Sequence, residues 1–192
     1  VVIIQRSAAE APTAWTAANT ASALTIIDYI TANCSSHPKI LFNSSFAYPI
    51  SQFANRAAQQ AATDAIIAAA KTARSELGID IINVARALQL CRDDATINDN
   101  ADLTNGTVHL NAGIGMYITA CCMFEALLSL FGMSVRTQTH IHSAAELKPI
   151  FPPAASTQYP IMGDNIATTF TAPTDAQAAT IRKYAQMSVK DD

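Results

Sequence analysis

Residues 39–83 read KILFN, SSFAYP, ISQFANRAAQQAATDAIIAAAKTARSEL, G, IDIIN, and this stretch decides the fold. Lys39 to Asn43 is a short apolar run closed by a polar residue, the pattern of a strand buried on both faces. Ser44 to Pro49 reads as a loop. Ser51 is the expected N-cap of a long, alanine-rich helix that runs to about Leu77 and is stopped by Gly78. Ile79 to Asn83 is the next strand. A helix between two such strands returns the chain to its starting edge, so the strands pair in parallel.

The same alternation extends outward on both sides. Upstream, Val1 to Gln5 is a β-branched strand of the same buried type. A loop over residues 6–16 carries Pro12 and Trp15. A helix is expected from about Ala17 to Asn33, with Ala21, Leu24, Ile27, Tyr29 and Ile30 at helical spacing, broken by Ser35-Ser36-His37-Pro38. Downstream, Val84 to Cys91 reads as a short helix. Residues 92–108 are polar and turn-rich, with Asp93, Asp94, Asn98, Asp99, Asn100, Asp102, Asn105 and Gly106. A loop of that length suggests function rather than mere connection. His109 closes it, and an apolar helix follows from about Ala112 to Phe131, stopped by Gly132.

Beyond that helix the pattern weakens. Residues 134–172 are rich in Thr and Pro, with short strands expected near Ser134–His140 and Ala167–Thr171. Pro173-Thr174-Asp175 resembles a helix start, and Asp175 to Met187 a terminal helix. Strand, helix, strand, helix, strand, helix predicts a parallel sheet with helices on both faces, a three-layer α/β/α arrangement. Such sheets bind ligands outside the carboxyl ends of their strands. Three loops leave those ends: Gln5-Arg6-Ser7, Asn43 to Tyr48, and the long loop reaching His109.

Composition narrows the classes of function. The chain has 192 residues, half of them hydrophobic and 14% charged, which excludes a disordered polymer. A net charge of −3 with scattered Lys and Arg leaves no basic footprint, so nucleic acid is not an expected partner. The apolar stretch Ile114 to Met133 contains Glu125 and two glycines and reads as a core helix, not a membrane span. Cys34, Cys91, Cys121 and Cys122 form no CxxC and read as core thiols. His140 and His142 form an H-x-H pair, but no further ligand stands nearby, so neither metal nor cofactor is expected. The chain begins at Val1 inside a strand pattern, without an initiator Met or a basic leader. It reads as a fragment or processed product, with missing strands expected upstream.

The run Asn105-Gly106-Thr107-Val108-His109-Leu110-Asn111-Ala112-Gly113-Ile114-Gly115-Met116-Tyr117 resembles the last block of SGNH (GDSL-like) hydrolases, a D-G-x-H-L-N motif followed by G-x-Y and an apolar helix. The nearest resemblance is to SGNH-like proteins of the DUF4886 type, found in gut Bacteroidetes and their phages. Val2-Ile3-Ile4-Gln5 resembles the family's VIIQ strand. Ile40 to Pro49 resembles the strand ending in a W-A-Y loop, with Phe46 in the Trp position. Ile81 to Leu88 resembles its I-I-P-V-G-x-A segment, with Asn83 for Pro and Ala85 for Gly. The resemblance covers residues 1–132 as the C-terminal part of such a domain. Residues 133–192 are then an extension with a terminal helix packed on the same body. The implied fold is a flavodoxin-like parallel sheet, incomplete at its N-terminus.

What the resemblance implies is a serine ester hydrolase, acting on a carbohydrate O-acyl ester. His109 is the implied general base, sitting between a polar loop and a helix start whose dipole disfavours the imidazolium. Two departures bear on this. No G-D-S nucleophile block occurs in the chain, so the serine is expected from an upstream segment of the same protein. The family's acid lies three residues before the histidine, where Gly106 stands, so the acid is Asp102 or absent, with Asn105 as a neutral substitute. Gln5, at a strand's carboxyl end, reads either as an amide donor to an oxyanion or as a loop hydrogen bond. Ser7 and Ser44 follow strands and read either as site hydroxyls or as turn caps. Trp15, Phe46 and Tyr48 read either as a sugar-stacking wall or as packing.

The competing expectation is a catalytically inactive structural or glycan-binding domain of a phage particle or surface assembly. A secreted, periplasmic or virion-associated location follows from the resemblance alone, and an oligomer is compatible with either reading. A nucleotide-binding module ranks below both, because no Gly-rich phosphate loop follows any strand.

Overall fold

A computed structural model of the protein describes residues 1–6, 11–46, 48–97, 103–104, 109–111, 113–132 and 173–190. The elements in chain order are β1 (Val2–Gln5), α1 (Ala17–Asn33), β2 (Ile40–Asn43), α2 (Arg56–Leu77), β3 (Asp80–Ile82), α3 (Val84–Asp93), α4 (Ile114–Leu130) and α5 (Asp175–Lys190). The three strands form one parallel sheet in the order β1-β2-β3. Its register sets Gln5 beside Asn43, and Asn43 beside Ile82.

Alternation of side chains along the strands divides the core between the two faces. Ile4, Phe42 and Ile81 point to one face, where they meet Ala70, Ala73 and Leu77 of α2 together with Trp15. Leu41 and Ile82 point to the other, where they join Leu88, Leu103, Ile118, Cys122 and Ile181. Full burial of an aliphatic side chain such as Leu88 or Ile118 stabilises the fold by roughly 1.5–3 kcal/mol. Helix α2 packs on β2 and β3, while α4 and α5 pack on β3, and α3 touches α2, α4 and α5. The fold is therefore three layers, helix on sheet on helix.

Local signals explain most boundaries. Thr16 caps α1 through a reciprocal capping box with Asn19. Gly78 ends α2 in the left-handed region at φ 65°, where a side chain would be strained. Thr174 and Gln177 make the corresponding box at the start of α5, with Thr174 N donating to Gln177 Oε1 at 2.9 Å. No helix among the described residues is long and apolar enough to cross a membrane.

Three expectations need correction. First, β1 is not buried on both faces. Among the described residues it lies at the sheet's edge and alternates between half-buried and exposed, with Ile3 39% accessible. Second, Ser51 is not the cap of α2. Pro49 starts a single 3-10 turn over Ile50–Gln52, and the helix begins later, capped by Asn55, whose side chain accepts from Ala58 N. Third, Leu24 and Tyr29 of α1 face solvent, because among the described residues that helix packs chiefly on α2 and buries only Ala23. Ser7, Asp102, Asn105, His140 and His142 lie outside the described residues, as do the strands expected near 134–140 and 167–171.

Candidate functional site

Each strand ends in a carboxamide: Gln5 closes β1, Asn43 closes β2, and Asn83 follows β3. The parallel register brings the first two side by side, and Asn43 Nδ2 donates to Gln5 Oε1 at 2.7 Å. Gln5 is exposed, whereas Asn43 is 4% accessible. By alternation, Gln5 and Asn43 share the sheet face of Leu41 and Ile82, on which α4 and α5 pack. Asn83 turns to a different task and caps α3, its side chain accepting from Arg86 N at 3.4 Å.

The loop after β2 is tied down from below. Ser44 N donates to Ile82 O at 3.0 Å. The Ser44 hydroxyl donates to Ser45 O and accepts from Ala85 N, both at 3.1 Å. That side chain is buried and spent on the main chain, so Ser44 acts as a turn tie. Ser45 adopts a left-handed φ of 69° and is 1% accessible. Its Oγ and the Oδ1 of Asn43 have no hydrogen-bond partner among the described residues.

The aromatic residues of this region pack. Trp15 stands edge-on to Phe42 with ring centroids 5.3 Å apart. Tyr48 is buried against Ile66, Ala85 and Phe53, and burial raises its phenol pKa. Phe46 rests on the cluster that includes Leu41 and Leu103. Below the Tyr48 loop lies a buried amide network. Gln59 Nε2 donates to Tyr48 O, Thr63 Oγ1 and Gln89 Oε1 at 3.2, 3.0 and 2.9 Å.

His109 sits in a bend just before α4, with its side chain exposed. The bend is held by main-chain bonds. Thr104 and Leu110 form an antiparallel bridge, and Asn111 N donates to Leu103 O at 3.1 Å. Asn111 Oδ1 accepts from Gly113 N at 2.8 Å, which leads the chain into the helix at Ile114. Leu103 and Leu110 both pack on the core cluster of Leu41 and Ile82.

The direction of α4 decides which edge His109 faces. Ala126, Ser129 and Leu130, near the helix's end, line a cleft with Leu41, Asp80 and Ile81, at the amino ends of β2 and β3. Seventeen residues of helix rise about 25 Å, so its start points toward the carboxyl ends. His109 thus precedes a helix that packs on β3 and whose start runs toward the carboxyl side of the sheet. A cleft of about 470 Å³ lined by Lys71, Arg74, Ser75, Gly78, Ile79 and Asp80 lies at the opposite edge.

Sequence reading identified Gln5 and His109 but passed over Asn43 and Ser45. The signal for Asn43 was present: VVIIQ, KILFN and IDIIN all end in an amide side chain.

An open parallel sheet with helical layers on both faces defines an α/β protein of three layers. No protein-family model matches the chain, and no match exists among curated proteins. Among solved structures, it is similar to the crystal structure of a DUF4886 family protein from Bacteroides uniformis ATCC 8492. The match has a TM-score of 0.58 and 19% identity, over 98% of this chain and 60% of that one. This is a likeness of fold, and the chain spans 60% of the length of its structural neighbour.

Proposed function

We propose that the chain is the C-terminal part of an SGNH-type ester hydrolase of the DUF4886 kind, acting on an acylated carbohydrate. The reading is supported by the direction of α4, whose start, with His109 before it, runs toward the carboxyl side of a sheet whose strands β1 and β2 end in Gln5 and Asn43. In this reading a serine from an upstream segment of the longer protein attacks the ester carbonyl. His109 takes the hydroxyl proton and passes it to the leaving alcohol. Asp102 orients the imidazole, or Asn105 does so as a neutral substitute. Gln5 donates an N–H to the oxyanion, a contribution typically worth about 3–4 kcal/mol of transition-state stabilisation. An exposed imidazole before a helix start is open to an approaching hydroxyl, as a base must be.

The test is turnover of an acetyl ester by the full-length parent, repeated with His109→Ala. A loss of three or more orders of magnitude is expected, and unchanged turnover sinks the reading. The second reading, an inactive structural or glycan-binding domain, rests on the absence of G-D-S and on Gly106 at the acid's usual place. Covalent labelling of the assembled protein by a fluorophosphonate counts against it.

A further inference from the structure

We infer that Asn43 is a positioning residue that sets the polarity of the Gln5 carboxamide, turning its oxygen inward and its NH2 outward over the carboxyl edge. The inference rests on the proposed role of Gln5 as an oxyanion donor and deepens it. A glutamine amide has two ends of opposite character, and its terminal torsion is broad and nearly two-fold. An exposed glutamine alone offers an oncoming group either end. Only the N–H end stabilises a developing negative charge; the oxygen end repels it.

The structure removes that ambiguity at one point. Gln5 Oε1 accepts from Asn43 Nδ2 at 2.7 Å. Asn43 is 4% accessible and stands beside Gln5 in the parallel ladder, so it is the more confined of the two amides. With its oxygen committed to Asn43, Gln5 keeps both Nε2 protons for whatever approaches the edge. Among the described residues Nε2 makes no other hydrogen bond. Asn43 itself is too deep to touch a substrate and acts through Gln5.

The substitution that reads polarity is Asn43→Asp, which keeps the shape and replaces the donor with an acceptor. Gln5 then turns over, donates Nε2 to the carboxylate and presents its oxygen. Asn43→Ala frees Gln5 without inverting it. In the full-length protein, Asn43→Asp should lower kcat roughly a hundredfold to a thousandfold, the cost of one oxyanion donor, with KM little changed. Asn43→Ala should cost less. Because a buried carboxylate is costly in its own right, the stability of both variants is measured beside kcat, and the kcat loss of Asn43→Asp should exceed what its lost stability explains.

A direct measurement decides the inference apart from activity. Side-chain amide hydrogen exchange by NMR should show one protected Asn43 Nδ2 proton and two fast-exchanging Gln5 Nε2 protons in the wild type. One Gln5 proton should become protected in Asn43→Asp. A protected Gln5 NH2 in the wild type, or an Asn43 NH2 exchanging at the free-amide rate, overturns the inference. No ester turnover by the wild type, with the exchange pattern as expected, overturns the hydrolase reading and leaves the polarity of Gln5 established.

Discussion

Gly115 lies against the main-chain carbonyl of Leu103, so close that a Cβ added at Gly115 would run into that oxygen. Leu103 is fully buried, and its carbonyl also accepts from Asn111 N, which fixes the bend that carries His109. The glycine is therefore the point at which the first turn of α4 and the His109 segment are pressed together. Gly115→Ala cannot be absorbed by a flexible side chain, because the obstacle is backbone. Overpacking of this sort costs about 1–3 kcal/mol, and a drop in Tm of roughly 2–4 °C per kcal/mol is expected for a chain of this size. If turnover is found, it should fall further than the lost stability explains, since the imidazole is displaced.

Asp94 links the end of α3 to α5. Its carboxylate accepts from Tyr184 Oη at 2.7 Å and from Thr96 N at 2.8 Å. Hydrogen bonds from Thr96 first, then Tyr184, lower its pKa from 3.8 to about 2. A depressed carboxyl pKa contributes stability that is complete above pH 3.8 and is lost as pH falls through about 2. Asp94→Asn should therefore flatten the acid limb of a Tm-against-pH curve in that window while lowering the plateau above it. A variant that keeps the full acid dependence of the wild type would exclude Asp94 as its source.

The amide network beneath the Tyr48 loop makes a distinct prediction. Gln59 is fully buried and donates to three acceptors on three segments. Gln59→Met preserves volume but leaves Tyr48 O without that donor, at about 1–3 kcal/mol for a buried unsatisfied group. Denaturant unfolding should show a lower midpoint with an unchanged m-value. The double variant with Gln89→Met should cost less than the sum of the singles, because both belong to one network.

Three of the four thiols are chemically quiet for a common reason. Burial pushes the Cys121 pKa up to about 11, and raises those of Cys91 and Cys122 further. Thiolate, not thiol, is the reactive form, so these three should resist a disulfide reagent at pH 8 in the folded protein. Cys34, half-exposed at the end of α1, should react first. Rapid modification of more than one thiol without denaturant would contradict the packing of α3 against α4.

The element order was legible in the sequence because its determinants are local. Apolar runs ending in polar residues marked the strands, and α1 starts and stops at Ala17 and Asn33, as its caps and breakers require. Ser51 is the expected cap, but the turn after Pro49 takes up Ile50–Gln52 and leaves the role to Asn55, a side chain of similar capping chemistry. The exposure of β1 was not legible, since hydrophobic pattern reports what a strand is made of and not which strands flank it. The Gln5–Asn43 pair was hidden for the same reason. Register couples residues 38 positions apart, and no local motif encodes it. His109 and Gln5 stand out in the sequence because each lies at a boundary between apolar and polar residues. Tyr48 stands at such a boundary too, yet its ring turned inward.

The place of β1 in the sheet has a consequence for recognition. Among the described residues, Gln5 rides on an end strand of the sheet, whose main chain is laced to one neighbour, β2. A strand so held frays more readily than the rest of the sheet, and its opening carries the donor away with it. On the proposed reading, a ligand that grips Gln5 also braces that strand, so occupancy and local order rise and fall together. Affinity at this edge is then in part the free energy of keeping four residues in line.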